Sequence, residues 1–242
     1  MENFEFKAFV IEEKDGKYIR SIKFRNIDDL PAGDLLVKVH YSSLNYKDAL
    51  SAIGNKGVTR NYPHTPGIDA VGVVIKSDSH EFTEGEKVIV TSYDLGMDTD
   101  GGFGQYIRVP SEWAIKLPEK ISMKEAMILG TAGLTAGIMV LRLSELVKPK
   151  QGKIAVSGAT GGVGSLSVAI LAKLGYEVIA ITGKEDEKAF LFELGAKEIL
   201  LRKEIETEES RPLLKGQFAG GIDTVGGAIL ENIIKSVNNM GA

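Results

Sequence analysis

The chain has 242 residues, 43% hydrophobic and 26% charged, which suits a globular protein with one large domain or two modest ones. Its net charge of −4 comes from interspersed acids and bases, so no basic face offers itself to nucleic acid. The lack of cysteine removes disulfides, thiolate metal ligands and a thiol nucleophile, the start Met1-Glu2-Asn3-Phe4-Glu5 has no signal-peptide character, and no apolar run approaches the roughly 18 residues of a bilayer span, so a cytoplasmic protein without a membrane partner is expected.

Short β-like segments fill the first 117 residues. They are Phe6 to Ile11, Asp34 to Tyr41 with its period-two alternation, Ala70 to Ile75, Lys87 to Val90 and Tyr106 to Val109. Turn signals such as Pro31-Ala32-Gly33 and Glu84-Gly85-Glu86 separate them. The pattern predicts a β-rich, barrel-like domain. From Pro118 the texture changes. Ser122, followed by Glu125, opens a helix running to Gly130, and a second helix spans Leu134 to Leu146. A strand, Lys153 to Ser157, then leads through a glycine loop into a helix, Val163 to Leu174, stopped by Gly175. After it come a strand (Glu177 to Thr182), a helix (Glu185 to Leu194), a strand (Glu198 to Leu201), a strand (Gly221 to Val225) and a helix (Leu230 to Asn238). This α/β alternation predicts a doubly wound parallel sheet over 118–242. Four of its strands are visible before the chain stops at Ala242, where a full dinucleotide fold has about six, so the sheet is expected to be incomplete with an unpaired edge.

The loop reads Gly158-Ala159-Thr160-Gly161-Gly162-Val163-Gly164. A lone GxGxxG pattern is weak, but here it follows a strand and opens a helix inside a βαβ unit. Gly161 allows a pyrophosphate to approach the backbone, Gly164 allows tight helix–strand packing, and the free N–H groups of the first turn, with the helix dipole, suit phosphate charge. Thr160, Gly161, Gly162, Val163 and Gly164 are therefore candidate cofactor contacts. No lysine follows Gly164, which excludes a nucleoside triphosphate P-loop. An NAD site usually carries an acid at the end of the second strand. Here that strand ends in Thr182-Gly183-Lys184, which favours NADP(H): Lys184 can pair with a 2′-phosphate, and Thr182 and the Gly183 N–H can donate to it. Arg202, at the end of the third strand, supplies a second cation. Glu185 and Asp186 are assigned to the first turn of the next helix.

Four stretches carry a family resemblance. They are Ser42-Ser43-Leu44-Asn45-Tyr46-Lys47-Asp48-Ala49-Leu50, Pro66-Gly67-Ile68-Asp69, Gly130-Thr131-Ala132-Gly133-Leu134-Thr135-Ala136 and the glycine loop; Ala219 to Gly226 also fits. With them the chain resembles the medium-chain dehydrogenase/reductase superfamily, in its zinc-free quinone-oxidoreductase branch, and within that the acrylyl-CoA-reductase-like enzymes.

The resemblance implies a GroES-like catalytic domain (1–117) and a Rossmann domain (118–242), truncated at the C-terminus relative to the family. Where zinc-dependent relatives hold Cys, His and Cys, this chain has Asn45, Ile68 and, near the third, Thr131. His40, His64 and His80 are not spaced as metal ligands, so no metal is expected. The implied reaction is hydride transfer from NADPH to an activated C=C of an unsaturated carbonyl, acyl-CoA or quinone. Tyr46 is the residue expected to orient the nicotinamide or donate the proton. Asn45 is expected to bond a substrate oxygen or the ribose, and Thr131 to contact the nicotinamide end. Asp69, Lys47 and Trp113 are assigned structural roles. A homodimer is implied for the full-length family member. The alternative, from another class, is a non-catalytic fragment that only binds NADP(H).

Overall fold

The computed structural model describes residues 4–207 and 210–242. The chain forms two compact units, Met1–Thr131 and Ala132–Ala242. The first unit thus reaches past the change of sequence texture at residue 118. The reason is packing: Ala126 and Met127 share a buried cluster with Val71, and the Ser43 hydroxyl donates to the Met127 carbonyl at 2.6 Å.

In the first unit, β1 (Glu5–Lys14) pairs antiparallel with β2 (Lys17–Asn26). Asp15 and Gly16 between them both have positive φ, 52° and 71°, as the favoured two-residue hairpin turn requires. Five further strands follow: β3 (Leu35–Tyr41), β4 (Asp69–Ser77), β5 (Lys87–Thr91), β6 (Tyr106–Val109) and β7 (Ala114–Lys116). They form an antiparallel sheet in the order β6-β3-β4-β5-β7. Leu35, Val37, Val74, Val88, Val90 and Ile107 make its core, which is why these strands alternate in sequence. A short helix, α1 (Tyr46–Ala52), follows β3.

The element α2 (Met123–Leu146) joins the two helices expected from sequence across a kink. It bends sharply at Gly130, whose φ of 49° and ψ of −154° are not helical. The expectation of no long apolar run is corrected here: the 24-residue span, whose most apolar 18-residue window has a mean hydropathy of 1.7, is long and apolar enough to cross a membrane by length and composition. The kink at Gly130 divides it into two shorter helical pieces. Ala136, Val140 and Leu143 are buried, while Leu134, Ile138, Leu141 and Leu146 are exposed.

The second unit alternates strand and helix. Its elements are β8 (Lys153–Val156), α3 (Gly162–Lys173), β9 (Glu177–Thr182), a 3₁₀ turn (Glu185–Glu187), α4 (Lys188–Glu193), β10 (Glu198–Leu201), α5 (Arg202–Ile205), β11 (Gly220–Ile222) and α6 (Gly227–Lys235). The sheet is parallel, in the order β10-β9-β8-β11. Successive strands step outward one way from β8, and β11 is then laid on its other side. The ends of β8 and β11 therefore flank a topological switch point, where open α/β sheets bind ligands. Ile154, Val156, Val168, Leu171, Val178, Ala180 and Leu191 fill the core on one face.

One buried polar group in the first unit makes stability sensitive to acid. The His64 Nε2 lies 3.0 Å from the Gly96 carbonyl, to which it donates when neutral. Asp100, nearby, is already paired with Arg25 at 2.6 Å. Burial lowers the pKa of His64 below its ordinary 6.5. The unfolded chain therefore takes up this proton first. Stability should be flat above pH 6.5 and fall below it, by at most about 2 kcal/mol at pH 5 from this group. Urea midpoints measured across that range should show the loss, and His64→Gln should remove it. An unchanged slope in the variant would assign the loss elsewhere.

Candidate functional site

Two clusters carry the candidate residues, one in each unit. The first is built on Asp69, the first residue of β4 and fully buried. Its carboxylate accepts the Asn45 Nδ2 at 2.8 Å, the Thr131 N–H at 3.0 Å and the Thr131 hydroxyl at 2.7 Å, and also the Thr91 hydroxyl. Thr91 and Thr131 hydroxyls lie 2.9 Å apart. A carboxylate can only accept, so this arrangement fixes the Asn45 amide with its nitrogen toward Asp69. The amide carbonyl is then the accepting end of that side chain.

A second buried carboxylate braces the same segment. Asp48 accepts the backbone N–H of Asn45 at 2.7 Å, Gly67 at 3.1 Å and Ile68 at 3.0 Å. The Asn45 bond is half of a capping box at the start of α1. Burial raises the Asp48 pKa, these N–H bonds oppose the shift, and the nearby Asp69 charge adds to it. Asn45 and Thr131 are thus held by Asp69, and Ile68 by Asp48 through its backbone. Tyr46 opens α1 and is 80% exposed, so its phenol is available to a ligand.

Asp69, assigned a structural role from sequence, stands at the centre of the cluster. Lys47 is exposed, with its Nζ 4.0 Å from the Met97 sulfur. Trp113 packs against the sheet core and stacks on Tyr93, as a structural residue should. Among the described residues no group of three or more His, Cys, Asp or Glu is placed to hold a metal.

The second cluster is the glycine loop. Gly158 has φ +57°, and the Gly161 N–H closes a turn onto the Gly158 carbonyl at 2.8 Å. The Ala159 N–H bonds the Ile181 carbonyl at 3.1 Å, which ties the loop to β9. A Cβ on Gly164 would sit 2.2 Å from the Gly158 carbonyl oxygen, so only glycine fits. Gly161 is the N-cap of the 12-residue α3, which has no side-chain cap and no acidic residue in its first turn. Gly162 lies against Ala132, the residue that follows Thr131. At the adjoining strand end, Ser157 donates to Asp223 at 2.5 Å and accepts the Thr224 N–H at 2.9 Å, joining the ends of β8 and β11.

The end of β9 carries the expected trio. The buried Thr182 hydroxyl accepts the Lys184 N–H at 3.0 Å. Lys184 and Gly183 are exposed. Arg202 proves to be the first residue of α5, not the end of a strand. It faces Gly183 and is bound in a bidentate pair by Glu206, at 2.7 and 2.8 Å. Glu185 is likewise committed, to Lys203 at 2.8 Å. The second unit therefore presents backbone N–H groups at a helix start with no side-chain cap, with Lys184 exposed beyond the end of the neighbouring strand.

Residues 31–119 match the alcohol dehydrogenase GroES-like domain. The acrylyl-CoA reductase AcuI of Ruegeria pomeroyi is 41% identical over 95% of this chain and 70% of its own length. The structure of the Salmonella enterica yhdH oxidoreductase in complex with NADP aligns with a TM-score of 0.93 and 43% identity, covering 97% of this chain and 72% of that one. Bacillus subtilis yhfP, solved with NAD bound, aligns with a TM-score of 0.94 and 40% identity, over 98% and 73%. With these two clusters on this fold, the chain belongs to the medium-chain dehydrogenase/reductase superfamily, in the oxidoreductase group that contains the AcuI acrylyl-CoA reductases and yhfP.

Proposed function

We propose that this protein is a soluble, cytoplasmic, metal-independent oxidoreductase that uses NADPH to reduce an activated C=C, in an acrylyl-CoA-type thioester or a quinone. The observation that carries the proposal is the glycine loop: a turn so tight that a Cβ at Gly164 would strike the Gly158 carbonyl, leading into a helix start with no side-chain cap, beside a strand that ends at Thr182 and is followed by Gly183-Lys184. Relatives solved with NADP and with NAD agree with a dinucleotide there. The choice of NADPH rests on Lys184, with Arg202 recruited from Glu206 as a second cation. When bound, the dinucleotide supplies the hydride.

The chain's own residues supply the rest. Thr160 to Gly164 hold the pyrophosphate by backbone N–H groups. Asn45, locked by Asp69, offers its amide carbonyl to a ribose hydroxyl or a carboxamide N–H rather than an amide donor to the oxyanion. Thr131 marks the nicotinamide end. The Tyr46 phenol then remains as the donor for charge that builds on the acceptor oxygen, and as the proton source for the α-carbon of the reduced thioester or the oxygen of the reduced quinone. A homodimer is part of the same reading.

The test is an NADPH titration by calorimetry, followed by NADPH oxidation with acrylyl-CoA and with a quinone. Binding with turnover supports the proposal. Binding without turnover would leave a dinucleotide-binding protein only. A narrower test addresses cofactor choice: Lys184→Ala should weaken NADPH about tenfold or more, the worth of a charge-assisted hydrogen bond, and leave NADH unchanged. Equal losses for both would remove Lys184 from the 2′-phosphate site.

A further inference from the structure

The strongest unexplained feature lies just beyond Thr91. Ser92 and Tyr93 are consecutive non-glycine residues at positive φ, 70° and 53°. Such backbone is strained and persists only where the surroundings over-determine it, which is common at functional sites. Here the surroundings do so on both sides. Before it, the Thr91 hydroxyl is held by Asp69. After it, the Asp94 carbonyl accepts the N–H groups of Met97 at 3.0 Å and Thr99 at 3.2 Å, and Leu95 is fully buried.

The strain fixes the Tyr93 ring. It stacks on Trp113, with centroids 5.3 Å apart and planes 4° from parallel. Trp113 is itself anchored on the sheet core. Yet Tyr93 remains 58% exposed. One face of the ring is immobilised and the rest meets solvent, two residues from the Asp69 cluster. The Met97 turn that follows touches Lys47, the neighbour of Tyr46. A rigid, half-covered aromatic ring is a low-entropy platform for another flat ring.

We propose that Tyr93 is a specificity-determining residue, a platform on which a planar conjugated acceptor such as a quinone ring stacks. The proposal deepens the reductase reading and rests on it for the acceptor's chemistry. Trp113 is the only tryptophan in the chain, so its fluorescence reports occupancy of the platform without any turnover. The probe is 1,4-naphthoquinone, titrated into wild type, Tyr93→Phe and Tyr93→Gly. Tyr93→Gly removes the ring and accepts the left-handed backbone, so it preserves the fold.

Wild type and Tyr93→Phe should show saturable quenching, with affinity in Tyr93→Gly lower by about tenfold. KM for the quinone should rise in Tyr93→Gly by a similar factor, with kcat and NADPH affinity little changed. Equal affinity in Tyr93→Gly, or quenching linear in quinone for all three, would overturn the proposal. Saturable, Tyr93-dependent quenching without NADPH oxidation would support the platform and sink the reductase reading. Turnover with a KM indifferent to Tyr93 would do the reverse.

Discussion

Gly164→Val is expected to weaken NADPH binding by about 100-fold or more, because it dismantles the phosphate cradle instead of trimming a contact. The new side chain would begin 2.2 Å from the Gly158 carbonyl oxygen, 2.7 Å from its carbon and 2.9 Å from the Ala159 Cα. All three are backbone atoms and cannot swing aside. Gly158 is held in turn by the Gly161 N–H and by its own positive φ. The clash must push α3 away from β8, which moves the first-turn N–H groups off any bound phosphate. Calorimetry with NADPH checks affinity, and circular dichroism checks that the second unit stays folded. A useful contrast is Gly137→Ala on α2, where a Cβ meets nothing within 4 Å. That change should leave binding intact and add ~0.5–1 kcal/mol of stability, the ordinary helix gain over glycine. Retention of NADPH affinity by Gly164→Val would remove the loop from the cofactor site.

Asp69→Ala should cost about 3–5 kcal/mol, the range for removing one partner of a buried, charge-assisted network. It strands the Asn45 amide, the Thr131 N–H and the hydroxyls of Thr91 and Thr131 together. Asp69→Asn keeps the shape but replaces one accepting oxygen by a donor that faces other donors, so it should lose less stability and still release Asn45. Gly130→Ala attacks the same cluster from the other side, since its Cβ would lie 2.7 Å from Asp69 Oδ2 and 2.5 Å from Ser43 Oγ. Denaturant unfolding should rank the variants, with Asp69→Asn closest to wild type. If Asp69→Ala falls within about 1 kcal/mol of wild type, Asp69 does not organise the site.

The parts legible in sequence were those whose signals are local. Tyr106–Val109, Glu177–Thr182 and Glu198–Leu201 announce themselves by period or by a run of β-branched residues, and the structure places them at those bounds. The loop was legible because its glycines, strand and helix are contiguous. β2 escaped notice because Lys17, Arg20, Lys23 and Arg25 break its apolar texture, although the Asp15-Gly16 pair between two runs is a hairpin signal. α1 is seven residues long and lies inside a motif-rich stretch, so Tyr46 could not be placed on a helix beforehand. The role of Asp69 was out of reach for a different reason. Its partners lie 22, 24 and 62 positions away in the chain, and no local pattern joins them. Arg202 was read as a strand end because nothing in four helical residues distinguishes them from a loop.

The order β10-β9-β8-β11 also governs when the second unit can become competent during synthesis. The loop and its helix are complete once α3 has emerged. The bond from Thr224 to Ser157, however, spans 67 positions, and Thr224 follows β11, which is made after β8, β9 and β10. β9 can pair on β8, and β10 on β9, early, while the other flank of β8 waits with an open edge. A ribosome-bound chain arrested before Gly220 should therefore display the glycine loop on a three-stranded sheet whose crevice has only one wall, and any cofactor that needs both walls can be captured only once β11 has emerged.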